Sequence, residues 1–171
     1  EIYTSSFVGS VRCYKRQVKT YYGIDIQLMV YMEAAMKLVA KMRPGKNVLP
    51  AGVFYYNISD PIVSATNESA EEIEDKIKGE LRLKGMVNSD KDIAEKMDNT
   101  GGTSLNIPVS RKADGGFDSR RSKVMNTEQF NMLGRFVDVR AVDTADRIAG
   151  GDIRRSPYKD GQFSSCDRCP Y

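Results

Sequence analysis

The chain has 171 residues, which is enough for one domain with its own core but too few for two. Its 26 Lys and Arg residues against 23 Asp and Glu give a net charge of +3, and 40% of its residues are hydrophobic. This composition excludes a disordered chain, a collagen-like repeat and a protein that is polybasic overall. Histidine is absent, which excludes Ser-His-Asp and Cys-His catalysis and the usual His-containing zinc sites.

The apolar runs indicate the cellular location of the protein, and the two ends of the chain indicate whether it is a fragment. No apolar run approaches the roughly 18 residues that a spanning helix needs, and no signal-peptide pattern is present. We therefore expect a soluble, cytoplasmic protein without a membrane partner. The chain starts at Glu1 rather than Met and stops just after Cys166 and Cys169, so we expect a fragment of a larger protein.

The first third of the chain predicts a strand, a helix and a second strand. Apolar residues over 7–14 favour a strand that ends near Lys15. The stretch over 24–42 is rich in Leu, Met and Ala and predicts a buried helix, which Pro44-Gly45 ends. The β-branched and aromatic run over 48–58 predicts an interior strand.

Two further helices are predicted in the middle of the chain. Ser69 and Glu72 have the spacing of a capping box, and apolar residues follow at intervals of four, which predicts an amphipathic helix over 67–83. A short helix is expected over 90–97.

The last part of the chain predicts a loop and one long helix. Paired glycines divide residues 99–125, which we expect to form a flexible loop or hairpin with one strand over 105–109. Apolar residues at spacings of three and four predict a helix over 126–149, which ends at Gly150-Gly151. The order strand, helix, strand, helix, loop, helix indicates an α/β or α+β fold in a single domain.

Charge is distributed unevenly along the chain. Residues 1–46 hold eight basic and three acidic side chains, whereas residues 66–98 hold ten acidic and six basic ones. The first region could face a polyanion and the second could not. Two ordinary solvated faces are the alternative, because exposure is the common fate of charged side chains.

Three local features could carry chemistry: Lys15 at the end of a predicted strand, Gln27 and Tyr31 four residues apart on a predicted helix, and the Cys166–Cys169 pair. A lysine at a strand end is usually a solvated charge. A glutamine in a buried helix is often only a hydrogen-bonded core residue. A Cys-x-x-Cys pair in such a protein is a metal or cluster ligand, a redox motif or a chance pair.

Several segments resemble one family when they are taken in order. They are YYGIDIQLMVY over 21–31, LPAGVFYY over 49–56 followed by Asp60-Pro61, and SPYK through CDRCPY over 156–171. Together they resemble the nuclease domain of the B subunit of AddAB-type helicase-nucleases. The resemblance covers nearly the whole chain and extends to 84–87, to 97–98 and to the start of the helix at 128–130.

The resemblance implies a RecB-like nuclease with a PD-(D/E)xK, restriction-endonuclease-like core, in which helices flank a mixed central sheet. The parent would be an ATP-dependent helicase-nuclease of double-strand break repair that pairs with an A subunit. It would be a Mg²⁺-dependent exonuclease that acts on single-stranded DNA ends. A divalent ion suits this hydrolase chemistry because it activates water and neutralises the charge on the phosphoryl oxygens.

The resemblance also implies roles for individual residues. Lys15 matches the lysine of (D/E)xK, which assists attack on the phosphate. Gln27 and Tyr31 match the Gln-x-x-x-Tyr motif, which orients the site and contacts the DNA strand. Cys166 and Cys169 match two of four cysteines that hold a 4Fe-4S cluster, so residues 152–171 would form an iron-sulfur tail with an incomplete ligand set.

The sequence departs from the family pattern at the metal site. Cys13 stands where the second acidic residue belongs, and a thiol is a poor ligand for Mg²⁺. No Asp lies between Glu1 and Arg12, so the Mg²⁺ ligands are not identified. We therefore expect no cleavage by this chain. The alternatives are a degenerate nuclease fold that guides DNA or docks a subunit, and a structural fragment that only packs against a partner.

Overall fold

The computed structural model describes residues 26–64, 69–161 and 163–168. The predicted strand over 7–14 and the residues Cys13, Lys15 and Cys169 lie outside this part of the chain. Within it, no helix is both long and apolar enough to cross a lipid bilayer.

A three-stranded sheet lies at the centre of the described fold. Strands β1 and β2 pair antiparallel, with Val53 opposite Met86, whereas β2 and β3 run parallel, with Val87 opposite Val124. The predicted α/β fold with a mixed sheet flanked by helices is confirmed. In chain order the elements are α1 (Gln27–Met42), β1 (Gly52–Tyr55), α2 (Ala70–Leu81), β2 (Lys84–Asn88), α3 (Lys91–Met97), β3 (Val124–Met125), α4 (Thr127–Ala149), β4 (Lys159–Asp160) and β5 (Phe163–Ser164).

The four helices form where the sequence predicts them, because their start signals are local. Ser69 and Glu72 make the predicted capping box at the start of α2. Asp90 accepts hydrogen bonds from two backbone N–H groups of α3, and Asn126 forms a second capping box with Gln129 at α4. Gly150 follows α4, as predicted.

The strands differ from the sequence prediction. The strand expected over 48–58 is only four residues long, and among the described strands β1 pairs with β2 alone. The central strand is β2, which the propensities missed because it contains Lys84, Gly85 and Asn88. At Gly85 a Cβ atom would collide with the carbonyl oxygen of Val53, so the close pairing of β1 and β2 requires glycine there.

The segment over 99–125 also differs from expectation, since residues 105–108 form bends rather than a strand. Two isolated antiparallel bridges, Thr103 with Ser110 and Arg111 with Phe117, give it a hairpin-like course. Ile107 and Val109 are buried in the core. Its mobility stays a prediction, although the burial of these side chains favours an ordered loop.

The sheet separates two apolar layers. On one face α1 and α4 pack together, and their core contains Met29, Met32, Phe130, Leu133 and Val137. On the other face, Ala94 of α3 and Ile107 and Val109 of the loop over 99–123 form a second core with Val87 of β2. The apolar seam of α4 is buried only as far as Val137. Ala141, Ala145 and Ile148, which also belong to the predicted seam, are exposed.

Candidate functional site

Gln27 and Tyr31 lie next to each other on the first two turns of α1. A spacing of four residues places both side chains on one face of a helix, and the Gln27 Nε2 atom donates a hydrogen bond to Tyr31 Oη at 2.8 Å. Gln27 is exposed and Tyr31 is 59% exposed. The alternative that Gln27 is a hydrogen-bonded core residue is therefore wrong, and both polar groups are accessible to a ligand.

The opposite side of α1 is held by α4, which fixes the direction in which Tyr31 points. Lys37 Nζ donates to Asp138 Oδ2 at 2.8 Å. Glu33 lies so close to Gly134 that a Cβ atom there would collide with its carboxylate. Two residues along an α-helix turn it by about 200°, so Glu33 faces away from Tyr31. Glu33 is thus committed to the helix contact rather than to the Gln27–Tyr31 pair.

An open apolar groove of about 470 Å³ runs beside Tyr31. The α1 side is formed by Tyr31, Met32, Met36 and Val39, and the opposite side by residues 48–53. Among the residues that the structure describes, no carboxylate lines this groove, so these residues give Tyr31 an apolar surrounding but supply no ligand for a hard cation.

Metal ligands are the next requirement of the chemistry that the resemblance implies. Among residues 26–64, 69–161 and 163–168, no group of three or more His, Cys, Asp or Glu side chains could hold a metal ion. This part of the chain therefore offers no metal site of three or more such ligands, and Lys15 and Cys13 lie outside it.

Cys166 is the one cysteine of the predicted cluster motif that the structure describes. It is exposed and forms no disulfide, and it lies in a 3-10 turn over Ser165–Arg168. Its backbone N–H donates to Ser164 Oγ at 3.2 Å, and the Ser164 N–H donates to Asp167 Oδ2 at 2.7 Å. An accessible thiol is compatible with cluster ligation, but the whole chain has only three cysteines and a cluster normally takes four.

The structure also reveals a buried polar cluster that the sequence did not suggest. Asp98, which is 8% exposed, accepts hydrogen bonds from Ser104 Oγ at 2.6 Å, from the Thr100 N–H at 2.8 Å and from Asn106 Nδ2 at 3.3 Å. Burial raises the pKa of this carboxyl, but these hydrogen bonds outweigh burial and hold the pKa at about 2. The ionised Asp98 thereby fixes the start of the loop.

Arg82 fixes the same loop from the other side. Its guanidinium donates to the carbonyl oxygens of Ile107 and Val109, each at 2.9 Å. Partial burial lowers the pKa of Arg82, while the charge of Asp98 raises it. No local motif marks this contact, because it joins residues 25 and 27 positions apart.

Comparisons with known proteins agree with the resemblance seen in the sequence. Residues 9–171 match the model of the PD-(D/E)XK nuclease superfamily. The chain is 36% identical over 153 residues to the B subunit of the ATP-dependent helicase/deoxyribonuclease of Thermoanaerobacter sp. (strain X514). It is 38% identical over 153 residues to the protein of the same name from Clostridium botulinum (strain Hall). Each alignment covers 88% of this chain and 13% of the relative, so the chain spans about an eighth of these curated relatives.

Proposed function

Because the chain belongs to the PD-(D/E)XK nuclease superfamily, we propose that it is the nuclease region of a helicase/deoxyribonuclease B subunit that processes DNA ends. The observation that carries the proposal is the family match over residues 9–171. The relatives, whose names describe a helicase/deoxyribonuclease, support DNA as the substrate. The parent would be a Mg²⁺-dependent exonuclease of double-strand break repair, and its partner would be the A subunit.

The exposed Gln27–Tyr31 pair is the part of the described surface that we assign to the DNA strand. Its amide and hydroxyl groups can donate to phosphate or sugar oxygens, and the tyrosine ring offers a face on which a base can stack. Since α4 holds the other side of α1, the pair is presented by a rigid helix. Lys15 would assist attack on the phosphate.

The metal chemistry of the parent needs acidic ligands, and no group of three or more possible metal ligands occurs among the described residues. Cys13 replaces one acidic residue of the motif, and no Asp occurs between Glu1 and Arg12. We therefore propose that the 171-residue chain does not cleave DNA. This favours the second candidate function for this chain, a degenerate nuclease fold that guides DNA or docks a subunit.

A cleavage assay tests this proposal directly. End-labelled single-stranded DNA is incubated with the chain in Mg²⁺ or Mn²⁺, with EDTA as the blank, and we expect intact DNA in every lane. Metal-dependent loss of the label that Lys15→Ala abolishes would contradict the inert chain and identify an active nuclease.

A binding assay tests the role of the Gln27–Tyr31 pair. In EDTA, fluorescence anisotropy with single-stranded DNA should show weaker binding by Tyr31→Ala, because base–aromatic stacking contributes about 1 to 3 kcal/mol per base. Tyr31→Phe keeps the ring and serves as the matched control. If Tyr31→Ala and the unaltered chain bind DNA with equal affinity, the assignment of the Gln27–Tyr31 pair to the DNA strand is wrong.

The iron-sulfur proposal has its own test. Cys166 and Cys169 would be two ligands of a 4Fe-4S cluster in the parent, whereas this chain offers only Cys13 besides them. We expect the purified chain to stay colourless after anaerobic incubation with iron and sulfide. Brown colour that Cys166→Ala abolishes would show instead that the three cysteines hold a cluster.

A further inference from the structure

A second charged surface lies in the loop that follows α3. Residues 110–123, which we call the basic hairpin, contain five basic and two acidic side chains, a local charge of +3. The chain as a whole carries the same net charge over 171 residues. This short segment therefore has as large a positive excess as the entire chain.

The basic hairpin is held in shape by its own backbone. Arg111 and Phe117 form an antiparallel bridge, and the Lys112 N–H donates to the Gly116 carbonyl oxygen at 2.8 Å. Ser122 closes the base, since its buried hydroxyl accepts from the Ser110 N–H at 2.9 Å and donates to the Ser110 carbonyl oxygen at 3.0 Å. A surface of fixed shape loses less conformational entropy when it binds.

The hairpin is also anchored to the domain, which separates its structural cations from its exposed ones. Arg111 Nη2 donates to the backbone oxygen of Asp98 at 2.6 Å and is half-buried. Lys112, Arg120 and Arg121 are exposed. Their side chains are not anchored to a backbone carbonyl of the described domain as Arg111 is, and they are therefore the groups that a ligand would meet.

Two of the exposed cations, Arg121 and Lys112, act on the carboxylate of Asp118. The Arg120 N–H donates to Asp118 Oδ1 at 2.8 Å and lowers the pKa of Asp118, and the charges of Arg121 and Lys112 lower it further. Lys91 of α3 adds another charge, since its Nζ atom lies 3.6 Å from where a Cβ atom of Gly115 would be. Asp114 and Asp118 are the two acidic residues of the hairpin, so its five basic side chains and Lys91 leave an excess of positive charge around the turn.

We propose that the basic hairpin binds the phosphate backbone of DNA at a place separate from the Gln27–Tyr31 pair. The hairpin packs with the core on the α3 side of the sheet, whereas Gln27 and Tyr31 belong to α1 on the other side. One DNA molecule would thus contact the domain on both sides of the sheet. Lysine and arginine on a fixed turn recognise phosphates without regard to sequence, so this contact supplies affinity and position.

The inference rests on the proposed function, because the deoxyribonuclease relatives make DNA the polyanion to consider first. The test is fluorescence anisotropy of a labelled DNA with a duplex and a single-stranded end, in EDTA and at several salt concentrations. The variant Lys112→Gln/Arg120→Gln/Arg121→Gln should bind more weakly. The slope of log K against log salt concentration should become shallower by about 2 to 3, which corresponds to about 0.7 to 0.9 per lost phosphate contact.

A charge-matched control keeps the test specific. Lys76→Gln/Lys78→Gln/Lys84→Gln removes three exposed cations from the acidic region over 66–98 and should change the slope less. Asp118→Asn retains a side-chain oxygen for the Arg120 N–H but removes the negative charge, so it should bind DNA more tightly. This gain does not depend on whether the triple variant folds.

Each result decides between the two proposals. If Tyr31→Ala weakens binding but neither the hairpin triple variant nor Asp118→Asn changes it, the basic hairpin is not a DNA contact and the proposed function stands. If the unaltered chain binds no DNA at all, both proposals fail. Poly-glutamate is added to the bound DNA at an equal concentration of negative charge. If it displaces DNA from the unaltered chain but not from the triple variant, the hairpin is a site for acidic peptides and the DNA assignment is wrong.

Discussion

On one face of the central sheet two helices pack through apolar side chains at regular spacing, whereas on the other a loop is held by buried polar groups. The helical face buries Met29, Phe130 and Val137, which recur along α1 and α4 with helical periodicity. The loop face buries Ile107 and Val109 as well, but it also buries the polar residues Asp98, Ser104, Ser110 and Ser122.

Because of this difference, a substitution destabilises each face of the sheet through a different physical mechanism. The helical face is stabilised by the apolar area that folding removes from water. The free energy of unfolding therefore falls in proportion to the number of buried apolar atoms that a substitution removes. Stability on the loop face depends on polar groups whose partners are all present, and removing one partner leaves the others buried and unsatisfied. The candidate DNA surfaces are divided in the same way, with the Gln27–Tyr31 pair on α1 and the basic hairpin on the loop.

The largest effect is expected on the helical face. Phe130 is fully buried, so Phe130→Ala should lower the free energy of unfolding by about 3 to 5 kcal/mol, because it leaves a cavity between the helices and the sheet. Urea denaturation followed by circular dichroism measures it. Met132→Ala, at a position 37% exposed on the same helix, is the control and should cost far less. Equal losses would mean that the buried seam of α4 is wrongly identified.

On the loop face the corresponding change is Asp98→Ala. It should lower the free energy of unfolding by about 2 to 3 kcal/mol, since Ser104 and Asn106 lose a charged acceptor. Asp60→Ala, at an exposed position, is the control. Hydrogen exchange should then increase in residues 100–110 more than in α4. Uniform exchange through both regions would contradict the view that Asp98 fixes the loop.

The same carboxylate should give the loop face a dependence on acid pH. Because hydrogen bonds hold the pKa of Asp98 at about 2, below its ordinary value of 3.8, folding favours its ionised form. Its contribution of about 2 kcal/mol is present above pH 4 and is lost as the pH falls towards 2. Asp98→Asn should flatten this part of the curve of stability against pH. If the free energy of unfolding of Asp98→Asn falls with acid pH in parallel with that of the unaltered chain, the acid dependence belongs to other carboxyl groups.

The smallest effect is expected for the ion pair between α1 and α4. Lys37 and Asp138 form a short contact, but their side chains are 62% and 46% exposed. Lys37→Gln should therefore change the free energy of unfolding by less than any of the substitutions above, because solvent screens the pair. A larger loss that persists at high salt would show that this pair, and not only the apolar seam, holds the two helices together.

The amino-acid sequence by itself determined the four described helices and the motif on the first of them. Capping residues such as Ser69 and Asn126 act within three positions, and the Gln27–Tyr31 spacing fits one turn of helix, so both signals are local. The family was also readable from the sequence, since its segments keep their order, and the match over residues 9–171 confirms it.

Only the tertiary structure decided the central described strand, the loop and the direction of the candidate site. The central strand contains Gly85 because the Val53 carbonyl comes too close for a side chain, and this requirement arises only when β1 pairs with β2. Arg82 holds carbonyl groups 25 and 27 residues away, and the buried Asn88 amide donates to the carbonyl of Pro50, 38 residues away. Tyr31 points outward because α4 occupies the opposite side of α1. Such contacts join residues far apart in the chain, and neither propensity nor periodicity, which are local quantities, contains them.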